Sequence, residues 1–149
     1  IGVSAAAGAM AVGASPQKVA LMRRFGEAVG MAFQIQDDIL DYTRTAQTGK
    51  PANNDLREGK ITLPLLAVLD KVPAERRTEL LGRLACCHDD EESVEYLQRT
   101  VENEGGLTFA AEVMRSYIAR AVEMLSEYEA SDYRTALANL CAYIAERDR

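Results

Sequence analysis

Three carboxylates close the segment FGEAVGMAFQIQDDILD: Asp37, Asp38 and Asp41 fall within little more than one helical turn. Like charges spaced i,i+4 destabilise a helix, and more so where water is excluded, so something positive is expected beside them. Hard oxygen ligands with open space around them suit Mg²⁺, which takes one or two carboxylates and keeps waters or phosphate oxygens as its other ligands. The bland alternative is a solvated acidic patch near a helix end. Downstream, the polar stretch TRTAQTGKPANNDLREGK carries Lys50 and Lys60, each directly after a glycine. Lysine is a flexible point charge suited to phosphate. Aspartates and lysines so near in sequence could bind Mg²⁺ and a diphosphate from two sides; the alternative is two ordinary surface lysines.

The element that must position the aspartates is a long helix. Ser15-Pro16 marks its start, with Ser as N-cap and Pro at the first helical position, and apolar spacing carries it to about Tyr42. At about 100° per residue, Gly26, Gly30, Gln34, Asp37 and Asp41 share one stripe, and Phe25, Ala28, Ala32, Ile35 and Ile39 lie opposite. One side is therefore core-facing. The other lacks bulk for two turns, then offers an amide, then carboxylates. Arg23 and Arg24 read as surface or ion-pair residues.

Residues 1–14, rich in Ala, Gly and Ser, suit a helix that neighbours approach closely, either at an interface or within a core. After Tyr42, Thr48-Gly49 and Pro51 make a continuing helix improbable, and Asn53-Asn54 favours a turn. Helices are then predicted over Thr62 to Asp70, from Pro73 to about Cys87, and from a cap at Asp89 to Gly105-Gly106. Two more run from Thr108 to about Glu129, with Phe109, Val113, Tyr117, Ala121 and Leu125 inward, and from Ser131, with Tyr133, Leu137, Leu140 and Ile144 inward. The tyrosines read as packing residues. No period-2 strand pattern and no repeat occurs, so the fold class is all-α.

With 149 residues the chain has the size of about one domain and can bury a core. A net charge of −6 leaves no basic stripe for a nucleic acid. No run of 18 apolar residues is present, so no transmembrane segment is expected. The N-terminus lacks both a basic signal-peptide region and an initiating Met, as though cut from something longer. Three cysteines without any CxxC make neither a disulfide framework nor a zinc site, and Cys86-Cys87-His88 is not read as a metal centre because adjacent helical residues point in different directions. Reduced thiols and an acidic chain fit the cytoplasm.

FQIQDDILD followed by GKPANNDLREGKITLPLL resembles the second aspartate-rich motif and lysine loop of the trans-isoprenyl (polyprenyl) diphosphate synthases. GGLTFAAEVMRSYIARAVEML and AYIAERDR are similar to the C-terminal helices of the bacterial polyprenyl branch, so the resemblance spans essentially the whole chain. DDxxD alone is weak; FQxxDDxxD with a glycine-lysine pair and EGKxTLPL is highly specific. The resemblance implies an isoprenoid-synthase-type helical bundle, homodimeric in full-length form, with residues 1–149 as the C-terminal part of one synthase domain. It implies Mg²⁺ holding an allylic diphosphate, whose ionisation gives a carbocation attacked by isopentenyl diphosphate to lengthen a trans chain.

Position by position, the resemblance implies Asp37 as the main magnesium ligand and Asp41 as a weaker or water-mediated one. Asp38 matches a position that holds a basic partner or bound water. Gln34 matches an amide touching the allylic substrate, Phe33 a wall residue, and Lys50 and Lys60 the lysines that grip its diphosphate. Gly26 and Gly30 are expected to leave room beside the growing chain. Asn53 stands where relatives often have glycine, and a modest change of loop shape is expected because Asn tolerates left-handed backbone.

The family's first aspartate-rich motif and isopentenyl-diphosphate site are absent from the sequence. The chain alone is accordingly expected to bind diphosphate weakly and not to elongate, and no catalytic residue is assigned. The rival readings are a non-catalytic partner subunit of a heteromeric synthase and, against the lysine loop, a class I terpene cyclase. Product length, primer and end pathway have no signature here.

Overall fold

The computed structural model of the protein describes residues 1–43 and 53–147. Its regular elements are all α-helices: α1 Gly2–Ala11, α2 Pro16–Thr43, α3 Asn54–Arg57, α4 Leu63–Lys71, α5 Ala74–Cys86, α6 Glu91–Asn103, α7 Gly106–Leu125 and α8 Asp132–Glu146. The chain divides into two compact units. One comprises residues 1–36 and the chain from 113 onward, the other residues 37–112; α2 and α7 contribute to both.

In the first unit, α2 buries Phe25, Ala28, Ala32 and Ile35 of the stripe expected to face a core, with Val29 beside them; Ile39, the last of that stripe, lies in the second unit and is half-buried. Pro16 starts the helix, and Ser15 Oγ accepts a long hydrogen bond from the Lys18 backbone N–H, 3.4 Å. Arg23 pairs with Glu27 on the exposed side at 3.0 Å. α1 crosses α2 where side chains are smallest. A Cβ built on Gly26 would lie 2.9 Å from Gly2 Cα and 3.0 Å from Ala5 Cβ. The space beside Gly26 is therefore filled by α1 backbone and is not open to a ligand chain, which corrects that expectation; near Gly30 lies the Ile1 side chain, 3.6 Å from a built Cβ. α1 buries Ala6 but leaves Val3 and Met10 exposed, as are Ile1 and Val12 at its two ends.

The last two helices form, α7 starting two residues before the expected Thr108 and ending at Leu125 rather than near Glu129, with inward faces that differ. Ser131 caps α8, its side chain accepting from Arg134 N at 3.2 Å. α8 buries Cys141 and Ile144, whereas Leu140 is exposed and Tyr133 is 85% exposed, so neither is an inward residue. On α7 the buried positions are Gly106, Ala110, Met114, Ala121 and Leu125; Phe109 is exposed, and Val113 and Tyr117 are half-buried. The spacing was right and the phase was one residue off in the first two turns.

In the second unit an apolar cluster is drawn from Tyr42 of α2, Leu56 of α3, Leu65, Val68 and Leu69 of α4, Leu80 and Leu84 of α5, Cys87, and Val94, Leu97 and Val101 of α6. α6 is capped by Asp90, one residue beyond the expected Asp89: its carboxylate accepts from the Glu92 N–H at 3.2 Å and from the Ser93 hydroxyl. Those bonds, the Ser93 one foremost, hold the Asp90 carboxyl below its ordinary range. Gly105, at φ +77°, supplies the left-handed turn between α6 and α7. α5 and α6 are further joined at Tyr96, whose ring lies 3.9 Å under the Arg83 guanidinium and whose hydroxyl donates to Glu79 at 2.9 Å.

Candidate diphosphate and metal site

The acidic end of α2 lies in the second unit, with Asp37 and Asp38 half-buried and Asp41 only 5% exposed. A buried carboxylate needs hydrogen bonds. Asp41 Oδ2 accepts the Asp55 backbone N–H at 2.9 Å, and the Asp41 carbonyl accepts the Asn53 N–H, also at 2.9 Å. Asn53 adopts φ 60°, ψ 35°, so the left-handed tolerance expected of this residue is used. From there the chain makes the single helical turn of α3, in a stretch whose residues predict a loop.

Beyond α3, Gly59 at φ +69° reverses the chain, and the Lys60 backbone N–H donates to the Asp55 carbonyl at 2.8 Å. The Lys60 ammonium lies 2.5 Å from Glu58 Oε2 and 3.1 Å from Asp55 Oδ1. It is exposed, and these pairs, Glu58 first and Asp55 next, hold its pKa above the ordinary lysine value. The structure thus brings Asp41 and Lys60 together through a single intermediary, Asp55. Lys50, the other expected lysine, lies outside the described residues.

Gln98 of α6 holds this turn from behind. Its amide nitrogen donates to the Tyr42 carbonyl at 3.1 Å, and its oxygen accepts from Asn53 Nδ2 at 2.9 Å. The Tyr42 hydroxyl is buried and, among the described residues, makes no hydrogen bond of ordinary geometry. Burial raises its pKa; the Thr62 hydroxyl partly offsets this, and Asp41, Asp55 and Asp38 raise it further.

Phe33 and Gln34 occupy the turn of α2 preceding Asp37, in the first unit. Gln34 is exposed and Phe33 half-buried, with the Arg147 guanidinium 4.5 Å over the Phe33 ring. The buried Gln36 donates its amide to the Arg147 carbonyl at 2.7 Å, fastening the end of α8 to this stretch of α2. Gln36, Asp55, Glu58 and Gln98 were not singled out from the sequence. Asp55 and Glu58 sit inside the quoted NDLREGK, so their charge beside Lys60 was a usable signal; Gln98 had none.

Among the described residues, no three His, Cys, Asp or Glu side chains come together tightly enough to hold a metal ion by themselves, and no helix is long and apolar enough to cross a membrane. A metal held here would need phosphate oxygens and water to complete the shell begun by one or two carboxylates, a donor set of the kind that Mg²⁺ accepts.

The sequence profile of the family Polyprenyl synthetase matches residues 1–103, and the chain belongs to that family. It is 34% identical over 149 residues to a short chain isoprenyl diphosphate synthase of Methanothermobacter thermautotrophicus, covering 99% of this chain and 45% of the relative. It is also 34% identical over 149 residues to heptaprenyl diphosphate synthase component 2 of Geobacillus stearothermophilus, again covering 99% and 45%. Its fold is similar to the crystal structure of polyprenyl synthase from Caulobacter crescentus complexed with calcium and isoprenyl diphosphate, with a TM-score of 0.87 and 31% identity over 99% of this chain and 45% of that one. The chain spans less than half the length of these relatives.

Proposed function

We propose that the chain supplies the allylic-diphosphate side of a trans-prenyltransferase site. There an allylic diphosphate is joined to isopentenyl diphosphate to give a longer all-trans product. The observation that supports this reading is that Asp37 and Asp38 lie in one folded unit with the Lys60 turn, which Asp55 fastens to Asp41 of the same helix, so that carboxylates that could bind a metal and a cation that could bind phosphate belong to one unit. Membership of the polyprenyl synthetase family supports the same reaction class.

In this reading Asp37 is the principal magnesium ligand, with Asp41 at most a weaker, water-mediated contributor and Asp38 facing a basic group or water. Lys60 and Lys50 bind the diphosphate, Gln34 contacts the substrate, and Phe33 forms wall. Bound Mg²⁺ would neutralise charge on the departing diphosphate. The exposed apolar residues of α1 support a role for this helix in a homodimer of the full-length form. A second reading, a subunit acting only with another chain, is supported by the likeness to a relative designated component 2.

The test is Mg²⁺-dependent incorporation of labelled isopentenyl diphosphate into an allylic primer, run with the verified 149-residue chain and with any longer product of its gene. The 149-residue chain is expected to bind pyrophosphate weakly without elongation, and the longer product to elongate. Failure of both, with Asp37 and Lys60 intact, would favour the partner-subunit reading.

A further inference from the structure

The geometry points to Asp41 as a positioning residue that anchors the Lys60 turn, so that its carboxylate serves the cation side of the site. This rests on the diphosphate reading above and assigns Asp41 a role beyond metal contact. Three observations carry it. Asp41 is 5% exposed, whereas Asp37, on the same helix, is half-buried. Mg²⁺ dehydrates reluctantly and keeps several waters, so a carboxylate with little open surface is poorly placed to share its shell. Next, Asp41 Oδ2 is committed to the Asp55 N–H at 2.9 Å, and the Asp41 carbonyl to the Asn53 N–H at 2.9 Å.

The third observation is that Asp55 passes the anchor on. Its carbonyl takes the Lys60 N–H at 2.8 Å and its carboxylate lies 3.1 Å from the Lys60 ammonium. The path from Asp41 to the Lys60 charge therefore contains one residue. Hydrogen bonds from a backbone N–H to a carboxylate are among the stronger ones, so losing the Asp41 carboxylate should loosen the start of the four-residue α3 at Asp55, and with it the Lys60 turn, while the backbone bond from the Asn53 N–H to the Asp41 carbonyl stays.

The test is calorimetric titration of the 149-residue chain with inorganic pyrophosphate in excess Mg²⁺, for the unsubstituted chain and for Asp37→Asn, Asp41→Asn, Asp41→Ala, Lys60→Ala and the Asp41→Ala/Lys60→Ala pair. Asp41→Ala is expected to weaken binding by about fivefold or more, and Asp41→Asn, whose amide oxygen still accepts the Asp55 N–H, to restore most of it. Lys60→Ala should weaken binding in the unsubstituted chain yet add little to Asp41→Ala, the mark of residues acting as one unit. Amide exchange at Asp55 and Lys60, read without ligand, should speed in Asp41→Ala and stay slow in Asp41→Asn.

Full loss in Asp41→Asn, equal to that in Asp37→Asn, would overturn the inference, because the carboxylate charge itself would then be required. So would additive losses from Asp41→Ala and Lys60→Ala, or unchanged exchange in Asp41→Ala. If neither Asp37→Asn nor Lys60→Ala affects pyrophosphate while exchange at Asp55 still depends on Asp41, the anchor stands and the diphosphate reading fails.

Discussion

Gly26 of α2 and Gly2 of α1 meet backbone to backbone: a Cβ added at Gly26 would stand 2.9 Å from the Gly2 Cα. Ile1 O and Ala5 Cβ would each be 3.0 Å away, so relief requires α1 to move as a body. Alanine ordinarily improves a helix interior by up to about 1 kcal/mol over glycine. Here overpacking, typically about 1–3 kcal/mol, should exceed that gain.

Gly26→Ala is therefore expected to destabilise the chain by about 1–2 kcal/mol in urea unfolding. Gly82 provides the opposite case in the same protein. It lies on the exposed side of α5, with nothing within 4 Å of a built Cβ. Gly82→Ala should stabilise by roughly 0.5–1 kcal/mol. Equal effects at the two positions would mean that the α1–α2 crossing is loose in solution.

Tyr42 makes alkaline pH a probe of the turn behind the site. Burial holds its phenol protonated well above the ordinary range, and the aspartates at 41, 55 and 38 add to that. A group whose folded pKa is raised contributes stability that is complete below its unfolded value, near pH 10, and is lost as pH rises further. Tyr42→Phe removes the titration and also removes a buried hydroxyl without an ordinary hydrogen-bond partner among the described residues. The variant should match the unsubstituted chain at pH 7 to within about 1 kcal/mol. It should lose less stability between pH 9 and pH 11, measured by thermal melts across that range. A steeper alkaline loss in Tyr42→Phe would contradict the burial of a neutral phenol.

How far the sequence carried these conclusions depended on the distance over which each signal acts. The start of α2 at Pro16, its buried face and the left-handed Asn53 are local properties of side chain and backbone, and they were legible. The cap of α6 was misplaced by one because Asp89 and Asp90 are equivalent as cap residues; the phase of the following backbone decides between them. Tyr133 and Leu140 looked inward because periodicity marks which residues share a stripe without saying how wide the covered stripe is. The bond from Asp55 to Asp41 spans 14 residues, and the Gln98 bond to Tyr42 spans 56; no local pattern encodes either. Aspartates and lysines could be proposed as a pair from their nearness in sequence. The turn that joins them could not.

Glu58 competes with any anion for Lys60. Its carboxylate lies 2.5 Å from the ammonium, nearer than Asp55 at 3.1 Å, and it is the leading reason that the Lys60 pKa is raised. A diphosphate bound by Lys60 would compete with this exposed partner for the ammonium and meet its like charge. Exposed pairs are weak and screened by salt, so the effect of removing Glu58 should be modest. Glu58→Gln is expected to tighten Mg²⁺-pyrophosphate binding by about two- to fivefold at low salt, the range that exposed pairs span. The gain should shrink as salt is raised. By nitrogen NMR, the Lys60 ammonium should titrate closer to ordinary lysine in the variant. Glu58→Gln combined with Lys60→Ala should show no gain, because the competitor then has nothing to release. Weaker binding in Glu58→Gln alone would instead make Glu58 a support that aims Lys60 at the phosphate.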